Sequence, residues 1–244
     1  IPDASALVNN ATFDLAGHSE TVGSLAGSGT VTSSSSGSVT LTVGGDNSST
    51  SYTGVIQNGS GTVNLTKVGS GTLTLSNANT YTGGTTISGG TLQLGNAAAL
   101  PTGYAVTLGS GGVLDLNGLN VSATTDPLTS TGGSIINSNT SAATYASAIT
   151  LSSGTTTIGT SSGDIALSGA ISGAGALTDN LGTGRTLTLS NTANNYSGVT
   201  TISSGTLKLG AAGVIPDASA LVNNATFDLA GHNETVGSLA GSGT

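Results

Sequence analysis

Two histidines and eleven carboxylates are the residues in this chain with the widest chemical reach. His18 and His232 each close an Ala-Gly-His turn, with Glu20 or Glu234 two positions on. A structural or catalytic metal site needs three or four ligands. Each histidine has one glutamate near it in sequence, no second histidine and no cysteine, so both read as solvated turn residues. No serine and aspartate set for a nucleophilic triad can be argued around either of them.

The nine aspartates are Asp3, Asp14, Asp46, Asp115, Asp126, Asp164, Asp179, Asp217 and Asp228. Paired carboxylates could serve a β-helical polysaccharide lyase or hydrolase. Several of these aspartates fall in turns, however, and Asp3 and Asp14 recur as Asp217 and Asp228. A lyase also needs basic groups against the uronate, and a sugar cleft needs aromatic platforms. The chain has Lys67, Arg185 and Lys208 as its only Lys or Arg residues, two Phe, five Tyr and no Trp. We therefore predict no enzyme: no catalytic residues, no cofactor and no metal. Calcium coils would need a Gly-Gly-x-Gly-x-Asp nonapeptide in tandem. Gly44-Gly45-Asp46 is the nearest approach and stands alone, which leaves weak loop-bound calcium at Asp46 or Asp164 as the most such a site would be.

Hydroxyl pairs are the other chemical signal. Thr40-x-Thr42, Thr72-x-Thr74, Thr155-x-Thr157 and Thr186-x-Thr188 could line up as a threonine face of the ice-binding kind. Thr-x-Ser, Asn-x-Thr and Ala interrupt the series, and β propensity at exposed positions explains it better.

These side chains sit in short alternating segments. Phe13-x-Leu15, Val39-x-Leu41-x-Val43, Val63-x-Leu65, Leu73-x-Leu75, Leu92-x-Leu94 and Val106-x-Leu108 open the series. Leu114-x-Leu116, Ile149-x-Leu151, Ile165-x-Leu167, Leu187-x-Leu189 and Leu207-x-Leu209 continue it. Period two puts the apolar members on one strand face and Thr, Ser or Asn on the other. Gly- and Asn-rich turns separate the segments, and no helical apolar period appears. That order argues against disorder despite 40 Gly. A sandwich or barrel needs large residues for a wide core. Strands of two or three residues with Val, Leu and Ile inward suit the narrow core of a solenoid.

Composition limits the partners. Three cations against eleven carboxylates give a formal net charge of −8. Neutralising nucleic-acid phosphates or an anionic membrane takes clustered Lys and Arg, which the chain lacks. No apolar run approaches the roughly 20 residues of a membrane-spanning helix. With no cysteine, cohesion must come from hydrogen-bond ladders and apolar stacking. Stability should then depend little on salt or pH.

Repetition is the strongest organisational feature. Residues 1–30 return as residues 215–244, differing only at Ser19 versus Asn233. We read residues 1–214 as one repeat unit and residues 215–244 as the start of the next, with the chain as a window of a longer polypeptide. Both copies should share one backbone. Within the unit, TLTLSNANTYTGGTTISGGTLQLG from Thr72 matches TLTLSNTANNYSGVTTISSGTLKLG from Thr186, so the unit has two diverged, continuous halves.

Residues 59–92 carry a Gly-x-Gly turn (Gly59, Gly61), an apolar-x-apolar-x-Lys-x-Gly step (Val63, Leu65, Lys67, Gly69) and Gly71-Thr72-Leu73-x-Leu75. Asn79-x-Tyr81-x-Gly83 and Thr85-x-Ile87-x-x-Gly90-x-Leu92 complete the pattern. This resembles the autotransporter-associated β-strand repeat of bacterial passenger regions and giant surface adhesins. A second copy runs from Gly173 to Leu207 and departs at Asp179-Asn180-Leu181, which predicts a distorted coil there. The resemblance implies a right-handed parallel β-helix exported to the cell surface, with no catalytic residues.

The expected fold is therefore all-β: a right-handed parallel β-solenoid built from tandem repeats, about ten coils and roughly 50 Å per unit. The expected function is a structural extracellular segment of a bacterial stalk, adhesin or filament. Its partners would be itself, end to end or in lateral bundles, and a host or matrix glycan or protein under the alternative of an adhesive module. Asn77, Asn79, Asn191 and Asn195 are expected to bond local backbone, and Tyr81 and Tyr196 to cover coil edges with wet hydroxyls.

Overall fold

A computed structural model describes residues 1–121 and 127–244; Asp126 lies outside the described residues. Among the described residues there is no helix, and the strands stack in parallel as a β-solenoid of about 11 turns. The chain divides into two compact units, Ile1–Leu114 and Asp115–Thr244.

In the first unit each turn presents three faces. One stacks Ala6–Val8, Ser24–Ala26, Thr50–Tyr52, Thr72–Leu75 and the end of Thr85–Leu94. Another stacks Thr12–Asp14, Thr30–Thr32 and Val55–Ile56. The third stacks Glu20–Val22, Ser38–Val43, Thr62–Lys67 and the start of Thr85–Leu94. The second unit repeats the plan. One face stacks Asn120–Val121, Ala143–Tyr145, Ile165–Leu167, Thr186–Leu189, Thr206–Leu209 and Thr226–Asp228. Leu128–Ser130, Ile149–Leu151 and Ile171–Gly173 make a second. The third stacks Ser134–Ile136, Thr155–Ile158, Ala176–Asn180, Thr200–Ser204, Ala220–Asn223 and Ser238–Ala240.

Strands lengthen beyond the expected two or three residues. Ser38–Val43 and Thr62–Lys67 run to 6 residues, and Thr85–Leu94 runs to 10. The last serves two faces because Gly90, at φ 60°, turns the corner without breaking the strand. Turn length is not constant either: Ala6 pairs with Ser24 on the next turn, whereas Thr30 must wait until Val55 for its partner. Corners absorb the difference, so the flat faces stay in register.

Like residues stack along the interior. Leu73 lies on Leu92 and Leu75 on Leu94; Tyr145, Leu167, Leu189 and Leu209 form another column. Each aliphatic side chain so buried is worth about 1.5–3 kcal/mol. The low aromatic content is spent inside: Tyr52, Tyr81, Tyr145 and Tyr196 are among the largest fully buried side chains.

Candidate functional site

The chemistry-bearing residues are dispersed. Among the described residues, no group of three or more His, Cys, Asp or Glu side chains could hold a metal ion. His18 is exposed and His232 half-buried, each in a turn whose histidine N–H donates to the Leu15 or Leu229 carbonyl at 2.9 and 2.8 Å. Asp14 and Asp46 are exposed or half-buried turn acceptors. Their carboxyls are held below the usual range, Asp14 chiefly by the Ser34 side chain and Asp46 by the Ser48 N–H. Asp164 accepts from the Thr186 N–H at 2.9 Å. Asp14, His18 and Glu20 line one open cavity with Phe13 and Leu15, whereas Asp46 and Asp164 serve as acceptors in their own turns.

Two aspartates are inside. Asp115 is buried; it accepts from the Asn117 N–H at 2.9 Å, the Ser138 N–H at 3.0 Å and the Ser138 hydroxyl at 2.6 Å. Asp179 is 1% exposed and stacks between Ile158 and Ile202. Its Oδ1 accepts from the Leu181 N–H at 3.2 Å, while its Oδ2 has no hydrogen-bond partner. Burial pushes this carboxyl up to about 6, against the single Leu181 N–H. The strand register slips between Asp179 and Asn180, where the sequence predicts a distorted coil.

By ladder register Lys67 is the counterpart of Asp179 in the first half, since Lys67 pairs with Ile87 as Asp179 pairs with Ile202. It is 1% exposed and stacks between Val43 and Ile87. Its Nζ donates to the carbonyls of Val68 at 2.6 Å, Gly89 at 3.3 Å and Gly69 at 3.4 Å. Desolvation lowers the pKa of the amine, and the Asp46 charge works the other way. Parity was the available signal for both: Lys67 continues Val63 and Leu65, and Asp179 continues Leu177, at inward positions of their strands.

The tyrosine expectation is corrected. Tyr81 and Tyr196 are fully buried, and their hydroxyls bond the Thr85 and Thr200 hydroxyls at 2.6 Å each. The Tyr196 phenol is pushed up to about 12 by burial. The threonine four residues on satisfies the hydroxyl, which lets the whole ring enter the core. The asparagines do bond local backbone, as Asn77 does by accepting from the Ala78 N–H at 2.9 Å and Asn191 by accepting from the Ala193 N–H at 2.8 Å, and some reach further. Asn79 accepts from the Ile56 N–H at 2.8 Å and donates to the Ala99 carbonyl at 2.7 Å, spanning neighbouring turns. Asn194 repeats this with the Ile171 N–H at 2.8 Å and the Val214 carbonyl at 2.7 Å. The motif glycines explain themselves in the same terms. A Cβ at Gly83 would strike the Val63 carbonyl and the Asn64 side chain, and one at Gly198 the Gly175 carbonyl.

Outward positions form hydroxyl columns. Thr21, Thr42, Thr66 and Thr86 lie over one another on four successive turns of the first unit. Ser134, Thr157, Thr178 and Thr201 do so in the second, and Val222 ends that column. A two-column Thr-x-Thr lattice is not built: Thr40 faces Asn64, and Thr155 faces Ala176.

The repeated segment adopts one conformation twice. Ala16 and Gly17 have φ 47° and 82°, and Ala230 and Gly231 have 50° and 82°. Asn9 Nδ2 donates to the Thr30 carbonyl and Asn223 Nδ2 to the Thr244 carbonyl, both at 3.0 Å. The Ala16 and Ala230 N–H groups donate to Asp14 and Asp228 Oδ1, both at 2.8 Å. Glu20 meets the Ile1 nitrogen at 2.7 Å, and Glu234 accepts from the Ile215 and Val214 N–H groups at 3.2 and 3.1 Å. That carboxylate clamp was invisible in the sequence, since its partners lie about one turn away.

Comparison with known proteins points in one direction. The passenger-associated transport repeat matches residues 65–94 and 182–209, one segment in each half. The chain is also similar to the adhesin BmaC autotransporter of Brucella suis biovar 1 (strain 1330). The two are 34% identical over 125 residues, which covers 51% of this chain and 3% of the relative. This chain thus spans a small fraction of that relative's length. No solved structure matches. The two matched segments are similar to a passenger-type repeat, and both lie on the β-solenoid.

Proposed function

We propose that this chain is a structural, extracellular β-solenoid segment of a bacterial surface adhesin, stalk or filament, with residues 1–214 as the period of a tandem array. The observation that carries this reading is the repeated segment, folded alike as residues 1–30 and as residues 215–244. Each copy joins its neighbouring turns by the same kind of parallel ladder. The passenger-type repeats and the adhesin relative support export to the cell surface. A solenoid extends by adding turns, each contacting only its neighbours, so length comes without a new core. The mass of the native polypeptide under fully denaturing conditions tests the array. A value many times the 23.1 kDa of this chain is expected, and one near 23.1 kDa would break the reading. Protease added to intact cells should remove the chain if it stands at the surface.

A second reading, an adhesive module that takes a glycan or partner protein along the solenoid side, is favoured by the Thr21–Thr42–Thr66–Thr86 column. It presents a row of hydroxyls spaced about 4.8 Å apart. Saturable binding on a glycan array, reduced by Thr42→Val and Thr66→Val, would support it over a passive stalk.

A further inference from the structure

The two halves carry opposite charges at corresponding inner corners of their coils. In the first half Lys67 fills the corner itself. Its Nζ lies on the Val68, Gly69 and Gly89 carbonyls and 2.9 Å from where a Cβ on Gly90 would stand. Gly90 turns that corner three residues after Ile87, the ladder partner of Lys67. Gly205, at φ 95°, turns the other, three residues after Ile202, the ladder partner of Asp179. The acceptors are kept but stand back. A Cβ on Gly205 would lie 3.0 Å from the Gly182 carbonyl and 2.9 Å from that of Arg185, whereas one on Gly90 would strike the carbonyls of Gly69 and Gly71. The Gly182 and Arg185 carbonyls each accept one backbone N–H, from Arg185 at 3.1 Å and Thr206 at 2.9 Å, and each keeps a lone pair. Asp179, 1% exposed, gives one oxygen to the Leu181 N–H. Among the described residues, its Oδ2 is the one buried side-chain oxygen without a partner.

We propose that the corner of the second half binds a monovalent cation of the sodium or potassium class, held between the Asp179 carboxylate and the corner carbonyls, that of Gly182 first among them. The first half answers the same surplus of carbonyl oxygen with the ammonium of its own lysine. Aspartate has the shorter stem, so its carboxylate stops short of the oxygens that the lysine reaches. Hard cations bond carboxylate and carbonyl oxygens together, at about 2.3–2.6 Å, and so span that interval. Carbonyl oxygens of this kind can replace an ion's hydration shell. One carboxylate balances one positive charge, whereas a divalent ion would leave a surplus inside, where unpaired charge is costly. A site of one carboxylate and main-chain oxygens needs none of the clustered His, Cys, Asp or Glu donors of a transition-metal centre. The inference stands whether or not the chain belongs to a tandem array.

Hydrogen exchange of the full chain at pH 7.5 tests it, in sodium, potassium or tetramethylammonium chloride at about 0.15 M each, so that screening is equal. With half-saturation at about 15 mM, a bound ion makes the open state about tenfold rarer. Exchange across residues 176–204 should therefore slow about tenfold in sodium or potassium relative to the bulky cation. Residues 62–94, served by Lys67, should exchange alike in all three. Asp179→Asn and Asp179→Leu should each abolish the difference. Sodium-23 relaxation reads the ion on the unaltered chain, so the test survives a variant that fails to fold: enhancement that added potassium displaces is expected. Equal exchange in the three salts would overturn the site, as would a difference that Asp179→Leu retains. Slowing by calcium at about 1 mM with none by sodium would overturn the monovalent assignment.

Discussion

Lys67 and Asp179 stand at equivalent places in the two halves, each between two aliphatic residues of an interior column, yet their surroundings differ. The lysine places its charge on three carbonyls; the aspartate keeps one oxygen without a partner. A parallel ladder consumes each N–H proton once, but each carbonyl has a second lone pair. The interior corner of a solenoid is therefore rich in acceptors and poor in donors. An ammonium on a long stem can use that surplus, whereas a short carboxylate finds the Leu181 N–H and little else. The difference shows how the same strand tolerates one sign of charge inside and is strained by the other.

The largest effect is expected from reversing the better-served site. Lys67→Asp would place a carboxylate among the carbonyls of Val68, Gly69 and Gly89, near Asp46. Stability of the first half should fall by about 3–5 kcal/mol, as for a buried charge that loses its partners. Turns of a solenoid can open locally, so hydrogen exchange across residues 62–94 is the appropriate measurement. Protection that survives the substitution would mean that the corner supplies donors unseen in the native fold.

Removing the poorly served charge should do the opposite. A carboxyl raised from 3.8 to about 6 corresponds to about 3 kcal/mol of destabilisation at neutral pH. Asp179→Leu matches the aliphatic column, and it should increase protection of residues 176–204 by up to that amount at pH 7.5. No gain would mean that the register slip at Asn180, rather than the charge, sets the local stability.

Acid should act as that substitution does. The folded state binds a proton more tightly than the unfolded one. The penalty is thus complete above about pH 6, shrinks as pH falls through 6, and is gone below about 3.8. Stability of the second half should rise between pH 7 and 4 by at most about 1.4 kcal/mol per unit. Asp14 and Asp46, whose pKa values are lowered, begin to cost stability only below about 3.8. This replaces the expectation of a pH-flat protein, which rested on how few charges there are rather than on where one of them lies. A melting curve unchanged over that window, or one that falls toward pH 4, would break the assignment.

How far the sequence could carry the argument differs by feature. Period-two alternation was enough for strands and for a narrow core, because inward residues must be apolar and outward ones need only suit a strand. The same parity runs unbroken from Asn79 through Tyr81, Gly83 and Thr85 to Ile87, so the burial of Tyr81 was legible. An assumption about tyrosine hydroxyls hid it. Contacts between turns were not legible. Asn79 reaches Ile56 and Ala99 across turns of unequal length, and a sequence does not say where each turn closes. The clamp at Glu20 and Glu234 was lost for the same reason.

The smallest effect supplies the control for the charge comparison. Tyr81 and Tyr196 make the same bond, to the hydroxyl four residues on, at the same 2.6 Å, in the same two halves. Removing either hydroxyl deletes one buried bond and leaves the threonine hydroxyl to find another partner, a loss of about 1 kcal/mol. Tyr81→Phe and Tyr196→Phe should therefore lower the local stability of their halves equally at neutral pH, measured by hydrogen exchange around residues 81–87 and 196–202. Equal losses would mean that the scaffolds of the two halves are alike, so that the contrast between Lys67 and Asp179 belongs to those side chains. A larger loss at Tyr196 would locate part of the weakness in the second half itself, and the gain from Asp179→Leu would then have to be discounted by the difference.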